Sequence, residues 1–249
     1  MKAFQSLFII VMMTAIIIPV SSLRAELGQL PDETTNNKGR HVPALGKVFK
    51  DTILDAQQMI KSETPEKALP LLEKVRAQGG HNNYEVAQVW TTLAYAHYTL
   101  DDIPRTIDAY EQVLSLNRAE ISEGMELTAL NAISRLYYEV KNYEKAILYF
   151  DQHLAIDETP GMIYLKGTAY YQLAQYEQAL QDALKVEESA ISHGETIKEE
   201  WLYFEVILYN KLEQYSDVAR VLERLIKLYP KQQYENHHKH LREEKAKTG

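Results

Sequence analysis

Cysteine is absent from the 249 residues. No disulfide can form, no thiolate is available as nucleophile or zinc ligand, and no acylated cysteine can anchor the chain to a lipid. Glycine and proline are sparse, at 10 and 8 residues, which excludes collagen-like and low-complexity architectures. No Asn-x-Ser/Thr acceptor occurs, which favours a bacterial envelope over a glycosylating secretory route. Also missing are a phosphate-cradling glycine loop, a Gly-x-Ser-x-Gly elbow and a His-Glu-x-x-His pair. Basic charge is in deficit: 27 Lys and Arg stand against 35 Asp and Glu, for a net charge of -8. Counterion release from a phosphate backbone needs clustered cations, so nucleic acid is not an expected partner.

Long apolar runs are also lacking, except one. Leu7 to Val20 is apolar apart from Thr14, preceded by Lys2 and followed by Ser21, Ser22 and Ala25. As a helix it would rise only about 21 Å against a hydrocarbon core of about 30 Å. The pattern predicts a secretory signal peptide over 1–25, with a cleavage point after Ala25 and a periplasmic mature chain; the bulky Leu23 near that point leaves an uncleaved anchor as the alternative. Removing Lys2 and Arg24 with the leader deepens the net charge to -10. Residues 26–46 hold two prolines and three glycines without apolar periodicity, and are expected to form a flexible linker.

From Lys47 to Pro230 the apolar residues recur at helical spacing, interrupted by turn signals such as Gly79-Gly80, Asp101-Asp102 and Pro160-Gly161. One phrase returns: LAYAHYTLDDIPRTIDAY from Leu93, ISRLYYEVKNYEKAILYF from Ile133, KGTAYYQLAQYEQALQDA from Lys166 and EVILYNKLEQYSDVARVL from Glu205. A diverged copy starts at Asp55, so the starts lie 38, 40, 33 and 39 residues apart. This resembles the tetratricopeptide (TPR) repeat, a helix-turn-helix unit of 34 residues. The resemblance implies an all-α fold over 47–230, a right-handed TPR superhelix (α-solenoid) of about five repeats, with 231–249 a polar C-terminal cap or tail.

Residue types fit that register. Small residues at Ala56, Ala94, Ser134 and Gly167 on first helices, and at Ala68, Ala146 and Ala179 on second helices, let the helices of a pair approach closely. Val206, Thr106 and Val218 depart from the rule and suggest looser spacing in the second and fifth pairs. Large residues fill the space between repeats, among them Trp90, Leu93, Tyr137, Phe150, Tyr170, Tyr209, Tyr215 and Leu222.

Helical phase then places a second set on the inner edge of the first helices: Tyr95 and Tyr98, then Asn131, Arg135 and Tyr138, then Tyr164, Thr168 and Tyr171, then Tyr203 and Asn210. Tyr98, Tyr138 and Tyr171 match in position and would form a ladder of phenols clear of the core. Flat apolar rings beside Asn, Thr and Arg suit an extended peptide, which offers backbone donors and acceptors. His97 and His153 read as packing or surface residues, and the tail histidines His237, His238 and His240 as solvated. No cofactor, no metal and no catalysis are expected.

The phrases LYYEVKNYEKA, AYYQLAQYEQAL and KEEWLYFEVILYNKLEQYSDVARVLERLIKLYPKQQY, with Gly194 between, are also similar to periplasmic repeat proteins encoded beside TonB, ExbB and ExbD in Gram-negative bacteria. That resemblance implies an accessory of a TonB-type outer-membrane transport complex, partnered by a TonB, ExbB or ExbD component and touching the membrane only through partners. An adaptor for envelope or cell-wall assembly and a small-ligand binding protein are the alternatives.

Overall fold

The computed structural model describes Arg40 and residues 42–248, with side chains as far as Glu243. The expected leader and most of the expected linker lie outside these residues. Among the described residues there are eleven α-helices, one short 3-10 turn and no strand. The helices are α1 (Lys47–Lys61), α2 (Pro65–Gln78), α3 (Asn83–Thr99), α4 (Ile103–Ser115), α5 (Glu123–Glu139), α6 (Tyr143–Leu154), α7 (Pro160–Gln172), α8 (Tyr176–Ser192), α9 (Glu199–Lys211), α10 (Tyr215–Leu228) and α11 (Gln232–Thr248). They pair as α1/α2, α3/α4, α5/α6, α7/α8 and α9/α10, and α11 follows alone. None is long and apolar enough to cross a membrane. The chain divides into two compact units, one ending at His153 and one starting at Leu154.

Every pair turns the same corner. Three residues separate its helices, and the middle one has a left-handed backbone: Glu63, Asp101, Lys141, Ala174 and Glu213, with φ between 57° and 62°. These five sit eight residues into each copy of the repeated phrase, so they recur at the same spacings of 38, 40, 33 and 39. The next amide reaches back to the carbonyl five residues earlier, as in Thr64 to Met59 (3.0 Å), Asp102 to His97 (2.9 Å), Asn142 to Tyr137 (2.9 Å), Gln175 to Tyr170 (3.0 Å) and Gln214 to Tyr209 (2.9 Å). This is the Schellman closure, which satisfies carbonyls that a helix end otherwise leaves open. Glycine would enter the left-handed region without strain, yet none of the five is glycine.

Helix starts are specified locally. Asn82 caps α3 by accepting from the Glu85 amide (2.9 Å) while the Glu85 carboxylate accepts from the Asn82 amide, forming a capping box. Ser122 caps α5 at the Met125 amide, and proline in the first turn opens α2, α4 and α7.

In the N-terminal unit α1 buries Phe49, Ile53, Ala56 and Ile60, the i, i+4, i+7, i+11 stripe, against Ala68, Leu72 and Val75 of α2 and Val89, Leu93 and Ala96 of α3. The C-terminal unit packs Ala179 and Ala183 of α8, α9, and Val218, Val221, Leu222 and Leu225 of α10 around a second core. Each fully buried Leu or Val contributes roughly 1.5–3 kcal/mol relative to exposure.

The small positions behave as close-approach sites, since Ala56, Ala68, Ala94, Ser134, Ala146 and Ala179 are all fully buried. Gly167 is the tightest: a Cβ there would sit 3.2 Å from the Asp182 Cβ and 3.4 Å from both the Ala179 carbonyl oxygen and the Phe204 ring. Thr106, Val206 and Val218 are just as deeply buried. Thr106 disposes of its hydroxyl by donating to the Asp102 carbonyl at 2.8 Å. Tyr215, expected between repeats, is instead 47% exposed at the first residue of α10.

Both end segments make contacts that composition alone does not reveal. Arg40, inside the expected flexible linker, is tied to residues more than 80 positions away: it donates to Glu126 at 2.5 Å and to the Ile121 carbonyl at 3.4 Å. The segment 231–249 is helical over α11 and docks on the C-terminal core through Tyr234, which is fully buried against Tyr203 and donates to Glu199. The histidines of α11 are accordingly not all solvated, for His237 is half-buried and His238 lies 3.3 Å from Glu223.

Candidate partner-binding face

The residues assigned from helical phase fall into two sets, one in each unit. Tyr95 and Tyr98 of α3 and Asn131, Arg135 and Tyr138 of α5 belong to the N-terminal unit. Tyr164, Thr168 and Tyr171 of α7 and Tyr203 and Asn210 of α9 belong to the C-terminal unit. Tyr98, Tyr138, Tyr171 and Asn210 each stand three residues before a left-handed corner, whose amide bonds back to their carbonyls at 3.0–3.2 Å. Their spacing along the chain is therefore that of the corners.

The expectation that these side chains stand clear of packing is corrected for several of them. Tyr98, Thr168, Tyr171 and Tyr203 are buried, at 2%, 1%, 9% and 9% exposure. Tyr171 meets the Phe204 edge at 6.0 Å and Tyr176 at 5.5 Å, and Tyr203 lies 5.8 Å from Tyr234. A side chain as large as tyrosine reaches the helices that follow, as the contacts of Tyr171 with Tyr176 of α8 and Phe204 of α9 show. Burial raises the pKa of the Tyr171 phenol, with Tyr176 adding to it, and burial alone raises that of Tyr203. Neither ionises at neutral pH, so each acts as a neutral donor. Thr168 donates to the Leu165 carbonyl at 2.7 Å.

Tyr95, Asn131, Arg135, Tyr138, Tyr164 and Asn210 remain half-buried. Tyr138 is braced edge-on by Tyr143 at 5.3 Å, and Tyr164 by Phe204 at 5.5 Å. Asn210 uses its amide to donate to the Val206 carbonyl (3.0 Å). In the N-terminal unit, Tyr95 and Arg135 occupy matching places two residues into their phrases, as Tyr98 and Tyr138 do five residues in. Beside Tyr95 an open cleft of about 560 Å³ is lined by Ile60, Lys61, Glu63, Glu66, Tyr95 and Thr99. Glu63 and Glu66, which also line it, are not on a first helix, where helical phase would find them: Glu63 is the left-handed corner residue and Glu66 lies in the first turn of α2.

The α4–α6 side of the N-terminal unit holds a separate polar knot. Tyr137 donates to Glu111 at 2.6 Å and accepts from Lys145 at 2.8 Å, while Tyr149 stacks on Tyr137 at 5.6 Å with rings nearly parallel. Its bonds link three successive helices and are satisfied internally, which marks it as structural. Among the described residues no three His, Cys, Asp or Glu side chains gather as a metal site would require.

A tetratricopeptide-repeat family model matches residues 85–159, which span α3 to α6. No curated protein sequence matches the chain. Solved structures similar to it include a tetratricopeptide repeat protein from Parabacteroides merdae, at 19% identity and a TM-score of 0.58 over 79% of this chain and 73% of that one. MamA from Desulfovibrio magneticus RS-1 is 17% identical with a TM-score of 0.56, over 76% of this chain and 99% of its own. YrrB, described as a TPR protein with an unusual peptide-binding site, is 15% identical with a TM-score of 0.56 over 76% of this chain and 90% of its own. At these identities the likeness establishes the fold: an all-α array of TPR-type helix pairs.

Proposed function

We propose that this protein is a non-catalytic TPR scaffold that holds an extended segment of a partner protein against the inner edge of its first helices. The observation that carries the proposal is the set of half-buried Tyr95, Asn131, Arg135 and Tyr138 on α3 and α5, which combines amide and guanidinium groups with two phenol rings, that of Tyr138 braced edge-on by Tyr143. The peptide-binding site named for YrrB supports the reading by analogy of fold. The finer proposal is a periplasmic accessory of a TonB-type complex with a TonB, ExbB or ExbD component as partner. The leader pattern over 1–25 and the resemblance of the repeat phrases support it.

Capture from native membranes tests both levels. Replacing Tyr95, Arg135 and Tyr138 together by Ala should lower partner affinity at least 30-fold, since one buried aromatic anchor contributes on the order of 2 kcal/mol. Helical content should be retained, because all three are half-buried. Undiminished capture by a folded triple variant would move the binding surface elsewhere. Recovery of partners without any energy-transducing protein, together with normal iron-chelate uptake in a deletion strain, would leave the scaffold and remove the TonB role.

A further inference from the structure

One buried carboxylate is not among the residues of the candidate face. Glu205 on α9 is completely buried, and neither of its carboxylate oxygens receives an N–H or O–H from the protein. Its titratable and charged neighbours come from each packed helix: Glu187 from α8, Arg220 and Arg224 from α10, and Tyr209 one turn along α9 itself. The arginines are committed elsewhere. Arg224 donates to Glu187 at 2.6 Å, and Arg220 donates to Asp217 at 3.0 Å and to the Tyr209 hydroxyl at 3.3 Å.

What remains for Glu205 is the Glu187 carboxylate, whose second oxygen is also buried without a donor. Two carboxylates are both acceptors, so they can bond only through a proton that one of them keeps. Burial, reinforced by the hydrogen bond and negative charge of Glu187, pushes Glu205 up to about 9. At Glu187 burial acts in the same direction, but the hydrogen bonds from Arg224 and from Glu205 outweigh it and hold this carboxyl below its ordinary range. Geometry makes the assignment: Glu187 carries the charge that Arg224 meets at 2.6 Å, and Glu205, completely buried and met by no guanidinium, carries the proton.

We propose that one retained proton between Glu205 and Glu187 fastens α9 between α8 and α10, so that the C-terminal unit loosens as the surroundings become alkaline. The sign follows from linkage. In the unfolded chain Glu205 loses its proton near the usual glutamate value of about 4.3, whereas in the fold it keeps it to about 9. Its contribution is complete at the acidic end and declines steadily between those limits. Across that window opening releases one proton, so the opening equilibrium rises about tenfold per pH unit from this group.

The test compares the full chain with Glu205→Gln, whose amide can donate to Glu187 as the protonated acid does but cannot ionise. Hydrogen exchange of α9 and α10 amides, followed from pH 5.5 to 8.5 and corrected for the intrinsic exchange rate, should show protection in the natural chain falling relative to the variant, by about a hundredfold or more over the range. Other titrating groups are common to both proteins and cancel. Calorimetry in buffers of different ionisation heat should show about one more proton released on unfolding of the natural chain at pH 7 than of the variant. Parallel pH profiles, or equal proton release, would overturn the proposal. If Glu205→Gln folds poorly, Glu187→Gln supplies the check: it removes the acceptor charge, so the carbon-13 titration of the Glu205 carboxyl should move down, and an unmoved titration counts against the shared proton.

Discussion

Glu126 and Glu205 are both buried carboxylates on the first helix of a pair, one in each unit, and the chain neutralises them in opposite ways. Glu126 is met by two guanidinium groups, Arg40 at 2.5 Å and Arg118 at 2.9 Å. Glu205 has no cation of its own and relies on a proton. The geometry explains the difference. Glu126 lies in the first turn of α5, open to a neighbouring loop and to the segment before α1. Glu205 lies mid-helix in a run from Trp201 to Tyr209 in which every residue is buried, with α8, α10 and Tyr234 of α11 closing the sides. A long cationic side chain can reach a helix end, but little besides a proton fits inside a closed layer. The N-terminal unit thus spends sequence on its buried charge, and the C-terminal unit depends on its surroundings.

The largest perturbation should be steric and fall in the C-terminal unit. Gly167→Leu would push against Asp182, the Ala179 carbonyl and Phe204, where even a Cβ is crowded. It should cost about 3 kcal/mol by overpacking, read as a fall of roughly 6–12 °C in melting temperature. An unchanged melting curve would contradict the close approach of α7 and α8. Next, Arg224→Met removes the donor that holds Glu187 charged. A loss of about 2 kcal/mol is expected at pH 8. It should shrink toward pH 5, because without Arg224 the Glu187 carboxyl accepts a proton more readily; denaturant melts at the two pH values decide this.

In the N-terminal unit the matching change should be milder. Arg40→Ala leaves Glu126 with Arg118, so about 1 kcal/mol should be lost, and a melting curve indistinguishable from that of the natural chain would mean the contact from the segment before α1 contributes nothing. The smallest effect should be a gain. Ala174→Gly and Lys141→Gly each relieve a left-handed residue, one per unit. Relief of roughly 1 kcal/mol, partly offset by glycine's greater chain entropy, leaves about 0.5 kcal/mol of stabilisation in both. A loss at either site would show that its side chain does more than turn the corner.

Much of this architecture was legible in the sequence because it depends on near neighbours. The spacings of 38, 40, 33 and 39 residues reappear as the spacings of the five left-handed corners, and the small residues mark where helices touch. What depends on distant neighbours was not legible. Helical phase shows which edge of α7 Tyr171 occupies, but not that Phe204, 33 positions on, packs edge-to-face against its ring at 6.0 Å. Arg40 looked like part of a linker because composition cannot reveal an ion pair 86 residues away. Glu205 opens a repeat phrase, and an acid between apolar residues reads as a solvated edge until the layers around it are known.

The corners carry a consequence for how such a chain can change length. Within every pair the link is three residues, whereas between pairs it is four, seven, five and six. One residue inserted at Leu100–Asp102 would turn α4 by about 100° and carry its apolar stripe off α3. One residue inserted at 116–122, where a 3-10 turn already takes up slack, has no corner to break. Growth and loss of residues are therefore steered into the joints between pairs, and each helical hairpin passes through such changes as an indivisible module.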